Sequence, residues 1–355
     1  MQLTSVAQAA ALDYDTVIDV RSPAEYAEDH LPGAINLPVL DNEERAQVGT
    51  IYKQVAPFEA RKLGAALVAQ NAARHLQGPL ADKPGGWRPL VYCWRGGQRS
   101  GSFATILRQV GWRTDLLEGG YKAWRALVVA ELAPPPQLPL VVLDGNTGSA
   151  KTAILLAAQA QGAQVIDLEG LANHRGSIFG AMPGGQPAQK GFEGRLAVAL
   201  AGLDPSRPVL IEAESSKVGE IALPRGLWAA LRTAPRLRLA APLAERAAYL
   251  ARAYGDIVAD PARLGALIDR LRPYHSAEVI AEWHALAGQG AFVPLAHALM
   301  QAHYDPRYEK HRARADRRLA EIEVPSLAPE ALPEVARRVI GAAQALARPA
   351  PPGGP

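Results

Sequence analysis

Residues Leu90–Phe103 read LVYCWRGGQRSGSF. The apolar run Leu90–Tyr92 has the length of a short buried strand. Gly96 and Gly97 permit a tight turn, and Ser100 opens an apolar helix. The chain's single cysteine, Cys93, lies between strand end and helix start. Backbone N–H groups and the positive end of the helix dipole converge there. Arg95 and Arg99 add fixed positive charge. Each effect favours the thiolate, so Cys93 reads as a nucleophile that must be reachable from solvent. An inert core thiol is the alternative, and a Gly-Gly turn flanked by arginines fits it poorly. The spacing of cysteine, five residues and arginine makes a loop of Trp94, Arg95, Gly96, Gly97, Gln98 and Arg99. Its amides would cradle a tetrahedral oxyanion, with an arginine fork at the rim. Trp94 is either a lid, a stacking platform for a base, or a packed aromatic.

Strands and helices alternate on both sides of this loop. Before it come TVIDV (16–20), AINLP (34–38) and a mostly helical stretch, 43–77, with Ile51, Phe58, Leu63 and Leu67 as apolar anchors. After it, DLLEGGYKAWRAL gives a short strand, a Gly-Gly turn and a helix. Such alternation predicts a parallel sheet covered on both faces, an α/β fold. The run ELAPPPQLP (131–139) breaks helix and strand alike and reads as a linker. A second alternation follows: LVVLDG (140–145), QVIDLE (164–169), PVLIEAES (208–215) and RLRLAAP (236–242), then helices from 260 to 320. The expected organisation is a first α/β domain over 1–133, a Pro-rich linker over 134–139, a second α/β domain with a helical extension over 140–320, and a C-terminal helix with a disordered tail over 321–355.

With 355 residues, two domains are expected. No apolar stretch is long enough for a membrane span. The start lacks the basic and apolar regions of a signal peptide. A lone cysteine excludes an internal disulfide and a thiolate zinc cage, which points to a reducing cytoplasm. The net charge of +3 is uneven: residues 1–139 hold 14 charges of each sign, so the excess lies beyond them.

A second phosphate site follows the linker. Gly145, Asn146, Thr147, Gly148, Ser149, Ala150, Lys151 and Thr152 read GNTGSAKT after an apolar strand and before a helix, the context of a P-loop. Backbone amides would wrap a diphosphate, Lys151 would reach its outer oxygens, and Thr152 could hold a magnesium ion. Ala150 stands where the pattern has glycine, which favours phosphate binding over efficient ATP hydrolysis. Glu212 and Glu214, ending a strand nearby, are candidates for ordering a metal-bound water or acting as a base, with a capping or ion-paired role as the alternative. The Gly-rich stretch 174–196 reads as a substrate loop offering Arg175, Gln186, Gln189, Lys190 and Arg195 to anions. Arg246 and Arg252, about two helical turns apart, could reach phosphates, or each could be a solvated surface arginine. Arg307, Lys310 or His311, Arg314, and Arg317 or Arg318 recur at helical spacing beside Tyr304 and Tyr308. The basic stripe is either a nucleic-acid contact or a solvated helix face.

The chain resembles tRNA 2-selenouridine synthases over nearly its whole length. The matching segments are DVRSPAEYAEDHLPGAINLPVLDNEERAQVGTIYKQ, YCWRGGQRS, EGGYKAWR, the P-loop, GGQPAQKGFEGRLA, IEAESSKVGEIALP and HYDPRY. The first of these, with the cysteine loop, marks a rhodanese-like domain. The resemblance implies an enzyme acting on wobble 2-thiouridine of tRNA in two steps: geranyl diphosphate alkylates the sulfur, then selenium from selenophosphate displaces the geranylthiol. It further implies attack of Cys93 on that selenium, giving a cysteine-bound selenide with release of phosphate. The P-loop would hold the geranyl donor's diphosphate, and no tightly bound cofactor is expected beyond magnesium accompanying it. Asp19 and Arg21, in DVRSPAEY, would brace the active loop. Two other enzyme readings compete. The cysteine–arginine spacing also occurs in phosphatases of rhodanese fold, and a thiosulfate sulfurtransferase fused to a nucleotide-binding module is the other. A tRNA- or nucleotide-binding regulator is the non-enzymatic reading.

Overall fold

The computed structural model of the protein describes residues 1–307 and 319–347. Two compact units are present. The first comprises Met1–Pro134, Pro187–Gly202 and Pro224–Gly226; the second comprises Pro135–Gln186, Leu203–Leu223 and the described residues from Leu227 onward.

The first unit is built on a four-stranded sheet. Its strands β1 (Thr16–Asp19), β2 (Ile35–Asn36), β3 (Pro89–Tyr92) and β4 (Asp115–Leu116) lie in the order β2-β1-β3-β4. All pairings are parallel, with Ile18 opposite both Ile35 and Val91. Every residue of β3 is buried, as expected where helices cover both faces. Ile18, Val20, Val91, Phe103 and Leu107 share one core with Val68 and Ala72 of the helix Pro57–Gln77. The long helical stretch is broken in two, Asn42–Gln54 and Pro57–Gln77. Pro57 stops the first helix, because it lacks an amide hydrogen and suits the first turn of the next. Phe58, expected as an anchor, lies at that break and is 64% exposed. The helix Gln189–Ala201, expected in the second domain, belongs to this unit. It packs against the helix Gly120–Leu132, where Arg125 pairs with Glu193.

The second unit carries a five-stranded parallel sheet. Its strands β5 (Leu140–Gly145), β6 (Gln164–Ile166) and β7 (Val209–Glu212) lie together. The pair β8 (Lys217–Val218) and β9 (Ile221–Ala222) forms a separate small hairpin. With β10 (Arg236–Ala240) and β11 (Leu319–Glu323), the sheet order is β11-β10-β5-β7-β6. β5 is central and buried throughout, so it reads as an unbroken apolar run. Helices Lys151–Ala160 and Leu332–Ala347 pack together over one core with Val141, Leu143, Leu237 and Leu239. Strand β11 falls where helix and a domain boundary at 320 were expected. It is an edge strand paired only to β10, with Glu321 facing Arg238 at 3.2 Å. Alternating charge there hides the strand pattern. Phe179, Leu264, Trp283 and Leu295 centre a further cluster among the helices beyond residue 254. Among the described residues no helix is long and apolar enough to cross a membrane.

Candidate functional site

In the first unit β3 ends at Tyr92, and the helix Gln98–Val110 starts two residues before Ser100, the expected first residue. The loop between them is shaped from below. Gly120 has a φ of +56°, and a Cβ there would overlap the Cys93 carbonyl oxygen. Gly96 has a φ of +69°, and its Cβ would lie 2.9 Å from the Leu117 carbonyl. Only glycine tolerates both the left-handed backbone and the close approach. The Tyr121 and Lys122 amides then donate to the Cys93 and Trp94 carbonyls at 2.8 and 3.0 Å. With those carbonyls turned down to a helix N-terminus, the Gly97 N–H donates to Cys93 Sγ at 3.3 Å, and the Ser100 hydroxyl donates to it at 3.2 Å. Burial pushes the thiol's pKa up. The Ser100 and Gly97 donors and the Arg99 charge outweigh burial, so the thiol titrates below its ordinary value.

Two expectations are corrected here. Cys93 is only 3% exposed, at the base of the loop rather than at its surface. The loop residues Arg95, Gly96, Gly97 and Gln98 that follow it are exposed. The Arg99 fork is not open at the rim: its terminal nitrogens donate to Glu25 at 2.8 and 3.5 Å. Glu25 titrates below the usual carboxylate range because Arg99 outweighs its burial. Trp94 is half-buried and lies 5.2 Å from the Tyr121 ring at a 36° tilt, so one of its faces is packed. Asp19 and Arg21 form a buried ion pair, with Arg21 also donating to the Asp29 carbonyl at 2.6 Å and lying 3.9 Å over the Tyr121 ring.

In the second unit, the loop after β5 leads into the helix Lys151–Ala160. Gly148 has a φ of +82°, and a Cβ there would lie 2.9 Å from the Arg246 carbonyl. Ala150 adopts a φ of +57°, the left-handed region that a glycine would occupy without strain. Lys151 Nζ donates to the Gly145 carbonyl at 3.0 Å, and Ser149 Oγ donates to Asn146 at 2.8 Å. Thr152 donates to Glu169 at 2.8 Å. This hydroxyl and carboxylate are the hard oxygens a magnesium ion takes when phosphate supplies its remaining ligands, so the residues fit that ion. Among the described residues no group of three or more His, Cys, Asp or Glu gathers into a metal cage.

Glu212 and Glu214 separate in role. Glu212 is fully buried, accepts from the Glu169 amide, and leaves Oε2 without a partner. Burial, then the neighbouring Glu169 charge, raises its pKa well above the usual carboxylate range, and its burial keeps it from acting as an open base. Glu214 lines the loop's cavity with Lys151, Glu169 and Arg175. Burial, then the Glu169 charge, pushes its pKa up to about 8. Arg175 is the one arginine of the predicted substrate loop that faces this cavity; its Nη2 donates to Asp256 at 2.9 Å, and its buried Nη1 has no partner.

The other expected anion contacts do not gather here. Gln186 donates to the Ala172 and Val218 carbonyls and accepts from the Glu220 amide, which closes its own loop. Gln189 donates to Glu193, Lys190 pairs with Glu28 at 2.7 Å, and Arg195 is exposed, all three on the first unit's helix. Arg246 is buried, bridged to Asp305 at 2.7 Å, and donates to the Thr147 carbonyl at 3.0 Å, so it braces the P-loop. Arg252 is exposed and donates to the Leu327 carbonyl. Six residues at 100° each put the two arginines on different faces of their helix. Arg307 donates to His303 at 2.8 Å and lies 4.6 Å over the Tyr274 ring. Arg314 and Arg317 lie outside the described residues. Glu25, Ser100, Gly120, Glu169 and Asp305 complete the two sites without having been predicted. Only Gly120, in a Gly-Gly pair ahead of a helix, carries a local signal.

Residues 5–127 match the family described as rhodanese-like domain, and residues 138–264 match the tRNA 2-selenouridine synthase AAA domain. The tRNA 2-selenouridine synthase of Chromohalobacter salexigens is 36% identical over 264 residues, covering 72% of this chain and 70% of that protein. The protein of the same name from Alcanivorax borkumensis is 40% identical over 65% of this chain and 64% of its own length. The one from Nitrosomonas europaea is 40% identical over 65% and 61%. The match thus spans just under two thirds of the latter two relatives.

Proposed function

Since the chain belongs to the tRNA 2-selenouridine synthase family, we propose that it converts wobble 2-thiouridine of tRNA to 2-selenouridine in a reducing cytoplasm, using geranyl diphosphate and selenophosphate. The observation that carries this reading is the Cys93 sulfur, whose pKa the Ser100 and Gly97 donors and the Arg99 charge lower against its burial, at the base of the strand-to-helix loop. In the first step the thiocarbonyl sulfur attacks C1 of the geranyl group. The C–O bond breaks, diphosphate leaves with the electron pair, and the uridine N3 proton is lost. Lys151 and the loop amides stabilise that departing charge, and Thr152 with Glu169 would hold a magnesium ion bound to the diphosphate. In the second step selenide adds at C2 and geranylthiolate departs.

Electron balance changes the part first assigned to Cys93. Attack of the thiolate on selenium would leave the P–Se pair on phosphorus, releasing phosphite rather than phosphate. Attack on phosphorus instead breaks P–Se with the pair on selenium. It frees hydrogen selenide and leaves a phosphocysteine, which water hydrolyses to phosphate and thiol. The loop amides suit this second course, since they would meet the oxygens around phosphorus while the sulfur lay beneath.

Mass spectrometry of the wobble nucleoside tests the reading, with tRNA given each donor separately and then together. S-geranyl-2-thiouridine should form with geranyl diphosphate alone, and 2-selenouridine only with both. Absence of both products refutes it. Phosphorus NMR of the spent mixture should show phosphate; phosphite would restore a cysteine-bound selenium.

A further inference from the structure

Two cavities of the second unit meet beside the P-loop. One, of about 450 Å³, is lined by the loop itself, Glu169, Arg175 and Glu214. The other, narrower at about 70 Å³, is walled mostly by hydrocarbon, including Phe179, Leu264, Phe292, Leu295 and Leu299. Thr147, Ser177, Leu250, Tyr254 and Tyr304 line both, so the polar cavity borders the apolar one. Arg175 stands at the junction, 4.8 Å over the Tyr254 ring and with Nη1 unpartnered. A nucleobase needs polar partners for its ring nitrogens and exocyclic groups, which such a wall supplies poorly. A hydrocarbon chain needs only removal from water.

We propose that this apolar cavity is the chamber for the isoprenoid tail of the prenyl diphosphate, with Arg175 at its threshold meeting the diphosphate. The inference rests on the prenyl-donor reading above and adds where the tail lies and what limits it. Calorimetry on the full chain with magnesium tests it, using geranyl diphosphate and inorganic diphosphate as separate probes. Geranyl diphosphate should bind roughly a hundredfold tighter or more, given the apolar surface it buries. Ala296, half-buried on the helix Phe292–Leu299, lines the chamber. Ala296→Phe fills it, and should bring geranyl diphosphate to within a few-fold of inorganic diphosphate while leaving the latter unchanged. Phe292→Ala widens the chamber and should raise the affinity of farnesyl diphosphate relative to geranyl diphosphate. Arg175→Gln should weaken geranyl diphosphate and inorganic diphosphate by a similar factor. The proposal is overturned if the native chain shows no preference for the prenylated ligand, or if Ala296→Phe changes both affinities equally or neither. Selenation without tail preference would remove the chamber and leave the function. Tail preference without selenation would do the reverse.

Discussion

Ser100→Ala is the sharpest probe of the cysteine loop. The Ser100 hydroxyl lies 3.2 Å from Cys93 Sγ, and the side chain is fully buried. A hydrogen bond to a charged group contributes about 1.5–3 kcal/mol. The low end applies, because sulfur is a weak acceptor and the hydroxyl is shared with the Gly97 carbonyl at 3.3 Å. Losing about 1.5 kcal/mol from the thiolate alone raises the thiol's pKa by about one unit. The chain has one cysteine, so alkylation by iodoacetamide reports this sulfur only. The rate is followed from pH 5 to 10. Its plateau at high pH measures access to the recessed sulfur, and the approach to the plateau measures ionisation. The variant's approach to the plateau should move up by about one pH unit while the plateau itself stays the same, and Ser100→Thr should behave as the native chain. An unchanged ratio of neutral rate to plateau would show that the hydroxyl does not hold the thiolate, and the account of the lowered pKa would fall.

Three further outcomes are expected. Gly120→Ala forces a Cβ into the Cys93 carbonyl and strains a left-handed residue, so the first unit should lose about 2 kcal/mol or more of stability; an unchanged thermal midpoint would show that the turn does not buttress the loop. Ala150→Gly relieves a left-handed alanine, worth up to about 1 kcal/mol net of the added chain entropy, and scanning calorimetry should show the second unit melting a few degrees higher. Glu214, with a folded pKa of about 8, holds a proton that the unfolded chain has released above its ordinary carboxylate range. Stability should therefore fall as pH rises through the window from about 4.5 to 8. Glu214→Gln should flatten that decline, and parallel melting curves for variant and native chain would contradict the assignment.

What could be read in advance follows the range of the interactions. β5 is legible to the residue, since LVVLDG is a continuous apolar run covered on both faces. The two strand-to-helix loops are legible because strand, glycines and helix are adjacent in sequence. Their partners are not. Glu25 reaches Arg99 across 74 positions, and Asp305 reaches Asn146 across 159. Neither carboxylate is marked by its neighbours. The polar residues of 174–196 look alike in sequence, yet Arg175 faces the P-loop cavity while Gln186 is consumed by its own loop and Lys190 leaves with a helix of the other unit. β11 was hidden for the opposite reason: its alternating charges suit an edge paired on one side.

The recessed sulfur and the electron balance bear on the same question. A sulfur that carries selenium to a uracil must present that selenium at C2, so the base would have to enter the loop. Cys93 is only 3% exposed, which leaves little room for a ring. A sulfur that attacks phosphorus has the opposite need: it should lie below the plane of the three oxygens, with amides around it and the leaving selenium pointing outward. The Gly97 N–H and the Ser100 hydroxyl converge on the Cys93 sulfur at 3.3 and 3.2 Å, an arrangement compatible with that course. On the proposed course the freed selenide, being small, would diffuse to the base, whereas the phosphoryl group would stay behind to be hydrolysed. Quenching a selenophosphate reaction in acid-free denaturant and mapping Cys93 by mass spectrometry should therefore find phosphorus on the sulfur, labelled when the donor carries ³²P. Selenium on Cys93, recognised by its isotope pattern and without ³²P, would refute attack at phosphorus.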